Sequence, residues 1–359
     1  MFFHTRRSSR HDVLLLISPL YMTPTPSPAI AVVGSLNVDT LLPVPYLPES
    51  GSTVAATTQF CRYGGKGANQ ALAACRQGAK VRLVGCVGDD PAGLAYLEYL
   101  ATEGLDVTGV HVAPSVSTGS AYVIVNPAGQ NKIITVPGAN GLLTGEMVLA
   151  QASILDTADV VMCQFETSVE SVVAALTRAE ENGITTVLNP SPLNTDFPWG
   201  KFGIDFLIVN EREAASLFGF FVEGTGDAPH LRSHMVELGI GTLIVTCGSD
   251  PTLVFSAQQA FKVPPPRIRA VDTTGAGDAF AGTFAVHWAQ SRDLVTAVRK
   301  ANAAGAIATQ RHGAQESIPN REAVNALSPD LLSAEEYAAA EQKAALAGPG
   351  ASAPSVDSH

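Results

Sequence analysis

Residues 29–34, AIAVVG, form a short apolar run that ends in a glycine. Strands inside a parallel sheet have this pattern, because helices cover both of their faces and polar residues do not alternate with apolar ones. Comparable runs recur at residues 81–84, 159–162, 185–188, 206–209 and 242–245. Residues 29–34 are therefore predicted to be the first strand of a parallel sheet.

Helices are predicted between these runs, at residues 69–76, 93–103, 169–182, 211–218 and 230–238. Strands that alternate with helices are typical of an α/β fold. We expect a doubly wound, mainly parallel sheet with helices on both faces. Ligands of such a domain bind beyond the carboxyl ends of its strands.

Two segments, at about residues 39–61 and 115–136, interrupt the alternation because they are rich in Val, Thr and Tyr and lack a helical period. Residues 120–136, SAYVIVNPAGQNKIITV, predict a hairpin with its turn at residues 126–129. We interpret both segments as a small β-sheet apart from the main domain, serving as a lid or an oligomer contact. The alternative is that they extend the main sheet.

The two ends of the chain differ from the α/β domain predicted over residues 29–328. Residues 1–28 contain Arg6, Arg7 and Arg10 but a lone acid, Asp12. A disordered extension, or a start assigned too early with Met22 as the true beginning, is favoured over a targeting peptide. Residues 329–359 are rich in alanine and serine, which predicts a mostly disordered tail.

Charge and composition exclude several classes of function. The formal net charge is −11 and no long Lys/Arg run is present, which excludes a nucleic-acid partner. No apolar stretch approaches the roughly 20 residues that cross a membrane, so no membrane partner is expected. None of the five cysteines forms a C-x-x-C pair, which argues against a disulfide framework or structural zinc and predicts a cytoplasmic protein.

Residues 270–283, AVDTTGAGDAFAGT, form the most informative motif. The small residues Gly275, Ala276 and Gly277 allow successive main-chain N–H groups to converge at the start of a helix, which suits an oxyanion or a phosphoryl group in transfer. Asp278 follows them, where a carboxylate can accept a proton from an attacking hydroxyl. The alternative for Asp278 is an ordinary helix-capping aspartate.

Residues 63–70, YGGKGANQ, are the second motif. Gly65 permits a tight backbone, while Lys66 and Asn69 offer polar donors, a combination that suits a polyhydroxylated ligand. The lysine is not followed by Ser or Thr, so the segment is not a Walker A motif. A plain turn is the alternative.

Residues 34–39, GSLNVD, follow the first strand and are the third motif. Asn37 and Asp39 are two residues apart, so in an extended chain they point to the same side and are predicted to bind adjacent sugar hydroxyls. An Asx turn that leaves the strand is the alternative.

Together the three motifs resemble the ribokinase branch of the PfkB carbohydrate kinase family, over residues 29–327. The resemblance implies an α/β domain whose β-sheet lid often joins a homodimer, and transfer of the γ-phosphoryl group of ATP to the 5-hydroxyl of ribose. Another PfkB substrate (deoxyribose, fructose or a nucleoside) and a non-catalytic sugar-binding protein are the alternatives. A dinucleotide-binding oxidoreductase is excluded because no G-x-G-x-x-G follows the first strand.

The resemblance also implies the residues of the sugar site and of the phosphoryl-transfer site. Asp278 matches the family's base for the sugar hydroxyl, and it follows an anion hole at Gly275, Ala276 and Gly277. The implied sugar ligands are Asn37, Asp39, Gly65, Lys66, Asn69 and Glu166, together with Asp278 itself.

The resemblance further implies sites for MgATP and a potassium ion. Glu213 matches the magnesium-associated glutamate of the family's N-x-x-E motif. The implied nucleotide-binding residues are Asn210, Thr246, Gly248, Ser249, Gly277 and Asn302. The implied K⁺ ligands, most of them through backbone carbonyls, are Asp272, Thr274, Ala308, Arg311, Gly313 and Ser317. One departure stands out: Asp250 and Pro251 interrupt the family's G-x-x-G, and we expect a reshaped ATP loop.

Overall fold

A computed structural model describes residues 27–194 and 196–327. The predictions for residues 1–26 and 328–359 lie outside the described residues. The chain forms two sheets, which are numbered together in chain order. The larger sheet contains β1 (Ala29–Val33), β4 (Lys80–Gly88), β5 (Asp106–Ala113), β8 (Val160–Gln164), β9 (Thr185–Asn189), β10 (Ile204–Asn210), β11 (Ile240–Cys247), β12 (Asp250–Ser256) and β13 (Ala260–Val263).

The larger sheet has the strand order β13-β12-β11-β10-β9-β8-β1-β4-β5. In this sheet β11, β10, β9, β8, β1, β4 and β5 pair in parallel with their neighbours. Strands β12 and β13 add an antiparallel edge. In β1, Ile30 to Val33 are completely buried between β4 and β8. The prediction of an interior strand at residues 29–34 is confirmed.

Helices cover both faces of this sheet. They are α1 (Lys66–Arg76), α2 (Pro91–Thr102), α3 (Gly145–Leu149), α4 (Ala152–Leu155), α5 (Val169–Glu181), α6 (Glu211–Phe218), α7 (Ala228–Glu237), α8 (Ala276–Ser291), α9 (Leu294–Ala308) and α10 (Arg321–Leu327). Side chains alternate across a strand, so Val32 packs with the α1, α8 and α9 layer and Val33 with the α5 and α7 layer. The doubly wound α/β fold is confirmed.

The smaller sheet consists of β2 (Asn37–Pro43), β3 (Phe60–Gly64), β6 (Ser120–Val125) and β7 (Asn131–Val136), in the order β3-β2-β6-β7. Strands β6 and β7 pair as the predicted hairpin, with Ser120 opposite Val136. Because the two sheets are separate, a small sheet apart from the main one is confirmed and an extension of the main sheet is wrong. Residues 44–59 of the predicted segment form no strand.

Three tyrosines join the smaller sheet to the main domain. Tyr63 of β3 stacks on Tyr96 of α2, with ring centroids 4.3 Å apart, and also on Tyr99 at 4.9 Å. The Tyr96 hydroxyl donates to the carbonyl of Gly64 at 2.7 Å. The end of β3 is therefore held against the main domain where α1 begins.

Two further sequence predictions concern membranes and cysteines. Within the part of the chain that the structure describes, no helix is both long and apolar enough to span a bilayer. The five cysteines are free thiols.

Candidate active site

The site is assembled where β1 and β8 end, because neighbouring parallel strands deliver their following residues to the same edge of a sheet. Ser35 follows β1, and its hydroxyl donates to Glu166 Oε2 at 2.6 Å. The same oxygen accepts the main-chain N–H of Lys66 at 2.9 Å, while the Gly67 N–H donates to Ser35 Oγ at 3.2 Å. Glu166 and Ser35 thus cap the start of α1, where a carboxylate also interacts favourably with the helix dipole.

Two glycines of α1 and its N-cap allow this close approach. A Cβ on Gly67 would lie 2.4 Å from backbone atoms of Gly34 and Ser35. Gly65 has φ +89°, and a Cβ there would lie 2.7 Å from the main-chain nitrogen of Asn37. Glycine is therefore required at positions 65 and 67, where the second motif packs against the backbone of the third.

Asn37 lies at the start of β2 with its side chain held by a second amide. Asn140 donates to Asn37 Oδ1 at 2.8 Å, and the Asn140 side chain also bonds the main-chain N–H and C=O of Leu36. Asn37 Oδ1 thereby has a protein donor, and its Nδ2 is left as a donor that a ligand could use.

Asp39 lies two residues further along β2, and its Oδ1 accepts the N–H of Ala121 at 3.1 Å. Burial raises the pKa of Asp39 to about 6, with a smaller contribution from the nearby negative charge of Glu166 and partial opposition from the Ala121 hydrogen bond. The charged form of Asp39 is therefore disfavoured, both by burial and by the nearby Glu166. A ligand whose hydroxyl groups donate to Asp39 would stabilise that charged form.

Asp278 is 6% exposed, in the first turn of α8. Its Oδ2 accepts from Asn69 Nδ2 at 3.0 Å, and its Oδ1 accepts from Gln70 Nε2 at 3.0 Å. Helices α1 and α8 approach closely because of Gly282, where a Cβ would lie 2.4 Å from the carbonyl oxygen of Gln70. This packing brings residues 69 and 278 together across 209 positions of sequence.

Lys66 is the cation of this cluster, with Nζ 3.9 Å from Asp278 Oδ1. Burial lowers the pKa of Lys66, but the carboxylates of Asp278, Glu166 and Glu213 outweigh it and hold the pKa above its ordinary value. Lys66 therefore remains an ammonium group that faces Asp278, Glu166 and Glu213.

The start of α8 lies open beside this cluster. Its N-cap, Gly275, is left-handed with φ 75°, and among the described residues no side chain caps the helix. Gly277 is exposed, and a Cβ there would have nothing within 4 Å. The first-turn N–H groups of a helix lack intrahelical partners, so this open end suits an anion.

Asp272 links the loop before α8 to the loop after α9. Its Oδ1 accepts from the Thr274 N–H and hydroxyl at 3.0 and 2.7 Å, and its Oδ2 accepts from the Gly313 N–H at 3.0 Å. Burial alone would raise the pKa of Asp272, but these hydrogen bonds hold it below its ordinary value. Ser317 donates to the carbonyl of Ala314, which packs on Gly275.

Three of the predicted K⁺ ligands, Asp272, Thr274 and Gly313, are therefore adjacent, and a carboxylate is the kind of oxygen ligand that a hard cation takes. Ala308 ends α9, and Arg311 and Ser317 belong to the loop that follows.

Asn210 and Glu213 form a capping box at the start of α6. Glu213 N–H donates to Asn210 Oδ1, and Asn210 N–H donates to Glu213 Oε2, both at 2.9 Å. This geometry is an ordinary helix cap, and it occupies one carboxylate oxygen of Glu213. The other oxygen and the Asn210 Nδ2 remain for a ligand.

Gly248 and Ser249 form the tight turn between β11 and β12, with Gly248 at φ 60°. Asp250 is the first residue of β12 and is exposed. Thr246 lies at the end of β11, and its hydroxyl donates to the Val209 carbonyl at 3.3 Å. The interrupted G-x-x-G thus lies in a short hairpin turn.

A cleft of about 410 Å³ adjoins this turn. It is lined by Glu211, Phe221, Val222, Glu223, Cys247, Asp250, Pro251, Leu253 and Lys262. Asp278 is not among these residues.

Asn302 is buried in α9, and both ends of its amide are engaged. Its Oδ1 accepts from the Thr252 hydroxyl at 2.7 Å, and its Nδ2 donates to the Val263 carbonyl at 2.9 Å. The structure therefore gives Asn302 a part in joining α9 to β12 and β13. Its place beside an adenine stays a prediction.

Four residues around the site were not predicted from the sequence: Ser35, Gln70, Asn140 and Gln315. Ser35 and Gln70 lie inside the third and second motifs, and this position could have identified them as site residues. Asn140 and Gln315 are buried amides whose partners lie 103 and 246 residues away along the chain, and no local pattern marks them.

Comparison with known proteins identifies the family. Residues 27–321 match the pfkB family carbohydrate kinases. The chain belongs to the PfkB family of carbohydrate kinases. The PfkB fold, the resemblance to ribokinases and the prediction of a sugar kinase are confirmed.

Individual PfkB relatives agree with this assignment. The chain is 35% identical to the ribokinase of Haemophilus influenzae over 294 residues, 82% of this chain and 96% of that protein. It is 34% identical to the deoxyribokinase of Salmonella typhi over 297 residues, 82% of this chain and 97% of that protein. The structure of Arabidopsis thaliana ribokinase complexed with ribose and ATP has a TM-score of 0.78 and 30% identity, covering 84% of this chain and 98% of that one. This PfkB protein is therefore a phosphotransferase of the ribokinase type that uses ATP.

Proposed function

We propose that this sugar kinase transfers the γ-phosphoryl group of ATP to the 5-hydroxyl of D-ribose, with Asp278 as the general base. The observation that carries the proposal is the position of Asp278. It lies between the open N-terminus of α8 and the amide and ammonium groups of Asn69 and Lys66. A sugar hydroxyl bound beside Asn69 and Lys66 would lie near both the Asp278 carboxylate and the anion site at the start of α8.

The sugar site presents both donors and acceptors. Asn37 offers an N–H donor and Asp39 offers carboxylate acceptors, as derived above from their other contacts. Glu166 and Lys66 complete a wall that matches the alternating donors and acceptors of a polyol. The Arabidopsis thaliana relative was solved with ribose and ATP, which supports ribose as the acceptor.

In the proposed mechanism, Asp278 accepts the proton of the attacking hydroxyl as the oxygen approaches phosphorus. Lys66 compensates negative charge next to Asp278 and keeps the approaching phosphate oriented. The first-turn N–H groups at Gly275, Ala276 and Gly277 stabilise the charge that develops on the transferred group. The smaller sheet excludes water from the sugar side.

Metal ions complete the proposal. Magnesium bound with the nucleotide would supply positive charge that neutralises phosphate oxygens. Among residues 27–194 and 196–327, no cluster of three or more His, Cys, Asp or Glu is able to hold a metal. Glu213 therefore contributes as a lone carboxylate, which agrees with the preference of Mg²⁺ for phosphates and water. Asp272 and the carbonyls around Gly313 would hold K⁺ and fix the loop before α8.

We further propose a cytoplasmic homodimer joined through the smaller sheet. Every residue of β7 is exposed, with Ile133 and Ile134 each at 57%, and Tyr122 of the neighbouring β6 is 41% exposed. A second copy that covers these side chains would remove apolar surface from water.

The test is ADP release from MgATP with ribose, 2-deoxyribose, fructose and adenosine, with and without potassium. Ribose as the preferred sugar, with stimulation by potassium, is the expected result. Deoxyribose is the second candidate, because the Salmonella typhi deoxyribokinase is as similar as the ribokinases. Preference for another sugar would overturn ribose, and no turnover with any sugar would overturn the proposed function.

A further inference from the structure

Asp278 is surrounded by buried side-chain amides that bond one another, a set we call the amide network: Asn69, Gln70, Gln164 and Gln315. Asn69 and Gln70 each donate to one oxygen of Asp278 at 3.0 Å. Gln164 Nε2 donates to Gln70 Oε1 at 2.8 Å, and Gln315 Nε2 donates to Asn69 Oδ1 at 3.0 Å. All four side chains are at most 5% exposed.

The hydrogen bonds of the amide network all donate toward Asp278. An ionised carboxylate only accepts hydrogen bonds, so Asn69 and Gln70 must turn their NH₂ groups toward it. Their oxygens then face away, and Gln315 and Gln164 must present NH₂ groups to those oxygens. Two chains of amides therefore end on the two oxygens of one carboxylate, and in the observed orientation both adjoining amides donate to it, as an acceptor-only carboxylate requires.

Gln70 has no capacity left for a ligand. It is completely buried. Its Nε2 donates both to Asp278 Oδ1 and to Asn189 Oδ1, the latter at 3.1 Å, and its Oε1 accepts from Gln164. Gln70 therefore acts through the side chains that it bonds, and of these Asp278 is the proposed base.

We propose that Gln70, held by Gln164, is a positioning residue that fixes the rotation of the Asp278 carboxylate and favours its ionised form. The inference rests on the proposed function, in which Asp278 is the base. Among the described residues, the one ion-pair partner of Asp278 is Lys66, which in turn faces Glu166 and Glu213. Gln70 thus acts on the same oxygen as Lys66, from the buried side.

Loss of the hydrogen bond from Gln70 should affect both the ionisation and the orientation of Asp278. A hydrogen bond to the charged form of an acid favours ionisation, so loss of the donor disfavours the carboxylate. Loss of the bond also frees the carboxylate to rotate, and a misplacement of about 1 Å costs on the order of 100-fold in rate. Sugar contacts remain, because Gln70 does not reach the sugar side.

The test compares Gln70→Met with Gln77→Met. Gln77 is the C-cap of α1 and is completely buried. Its Nε2 donates to the carbonyl of Pro319 at 3.1 Å. Both variants lose a buried glutamine amide from one helix, but Gln77 has no bond to the amide network. Melting temperatures would show whether the two substitutions cost similar stability.

The expected result for Gln70→Met is a kcat lower by about 10- to 100-fold, with KM for the sugar changed less than about threefold. The acid limb of its pH–rate profile moves to higher pH. Gln77→Met keeps the kcat and the pH profile of the wild type. A Gln70→Met enzyme with wild-type kcat and pH profile, or an equal loss in both variants, would overturn the proposal while leaving the kinase assignment intact.

A second measurement does not need turnover. Protein labelled at the aspartate carboxyl carbon is titrated by NMR, with the Asp278 signal assigned from its loss in Asp278→Asn. The Asp278 signal should titrate at a higher pH in Gln70→Met than in wild type, and Gln77→Met should match wild type. Identical titration in all three proteins would contradict the inference, even if the wild type phosphorylated none of the tested sugars.

Discussion

The main-chain N–H of Lys66 donates to the side chain of Glu166 at 2.9 Å, across 100 residues of sequence. The same carboxylate oxygen accepts the hydroxyl of Ser35 at 2.6 Å. One oxygen thereby joins the segments that follow β1 and β8 to the first turn of α1. These segments carry the proposed sugar ligands, so the shape of the proposed sugar site depends on this junction.

Glu166→Gln should therefore weaken sugar binding. The glutamine oxygen can keep the two hydrogen bonds, but the attraction between Glu166 and the ammonium of Lys66 is lost. We expect KM for the sugar to rise by about tenfold, which corresponds to about 1.4 kcal/mol. Steady-state kinetics measure the change, and Glu170→Gln, an exposed acid in the first turn of α5, is the matched control. Equal KM values in both variants would contradict the junction's role.

Asp278→Asn should abolish most turnover and also destabilise the protein. Loss of a general base costs on the order of 10²- to 10⁴-fold in rate. The new NH₂ group must face either Asn69 or Gln70, which both present donors, so one buried donor loses its acceptor at about 1–3 kcal/mol. Single-turnover kinetics and thermal unfolding measure the two effects. A folded variant with near-normal turnover would exclude Asp278 as the base.

Asp39→Asn should stabilise the sugar-free protein at neutral pH while weakening sugar binding. The pKa of Asp39 is about 6 in the folded chain and 3.8 as its ordinary value. Between these values the folded state binds more protons than the unfolded state, so the Asp39 contribution to stability falls as pH rises from about 4 to 6. Above pH 6 the charged, half-buried side chain is a cost that Asn removes.

The expected gain from Asp39→Asn is about 1 to 2 kcal/mol at pH 8, because one pKa unit is worth about 1.4 kcal/mol and partial exposure reduces the effect. The gain should vanish near pH 4. Urea unfolding at pH 4, 6 and 8, with and without ribose, measures it. A stability difference that is independent of pH would rule out this electrostatic cause.

Gly277→Ala should separate activity from stability. Nothing lies within 4 Å of a Cβ at this position, and alanine is favoured over glycine in a helix by about 1 kcal/mol. We expect an unchanged or higher melting temperature together with a kcat at least about tenfold lower, because the methyl group occupies the proposed anion hole.

Gly282→Ala is the control in the same helix. A Cβ there would lie 2.4 Å from the Gln70 carbonyl oxygen, so this substitution should lower the melting temperature. Full activity of Gly277→Ala would place the transferred phosphoryl group elsewhere.

The order of strands and helices was largely predictable from the sequence, because each buried parallel strand is a short, continuous run of apolar residues. Helix α6, for example, was predicted with its observed limits. Helices α3 and α4, of five and four residues, are too short to display a helical period. The antiparallel strand β12 begins at Asp250 and Pro251, whose type argues against a strand, and was not predicted.

The start of α1 shows what local patterns omit. The sequence predicted a helix from Asn69, whereas α1 begins at Lys66. Glycines at 65 and 67 disfavour a helix locally, but Glu166 and Ser35 supply the missing acceptors from distant segments. Asn69 and Asp278 were each identified from their motifs, yet the hydrogen bond between them depends on the packing of two helices.

The bond from Gln315 to Asn69 spans 246 residues and has a consequence for synthesis of the chain. A ribosome has finished almost the whole domain before Gln315 emerges, so the Asn69 side chain of a growing or truncated chain has no partner for its oxygen. The sugar motifs near the amino terminus are made early, but their final geometry waits for the last loop. A product that stops before residue 315 would carry every motif of the kinase and still lack a finished active site.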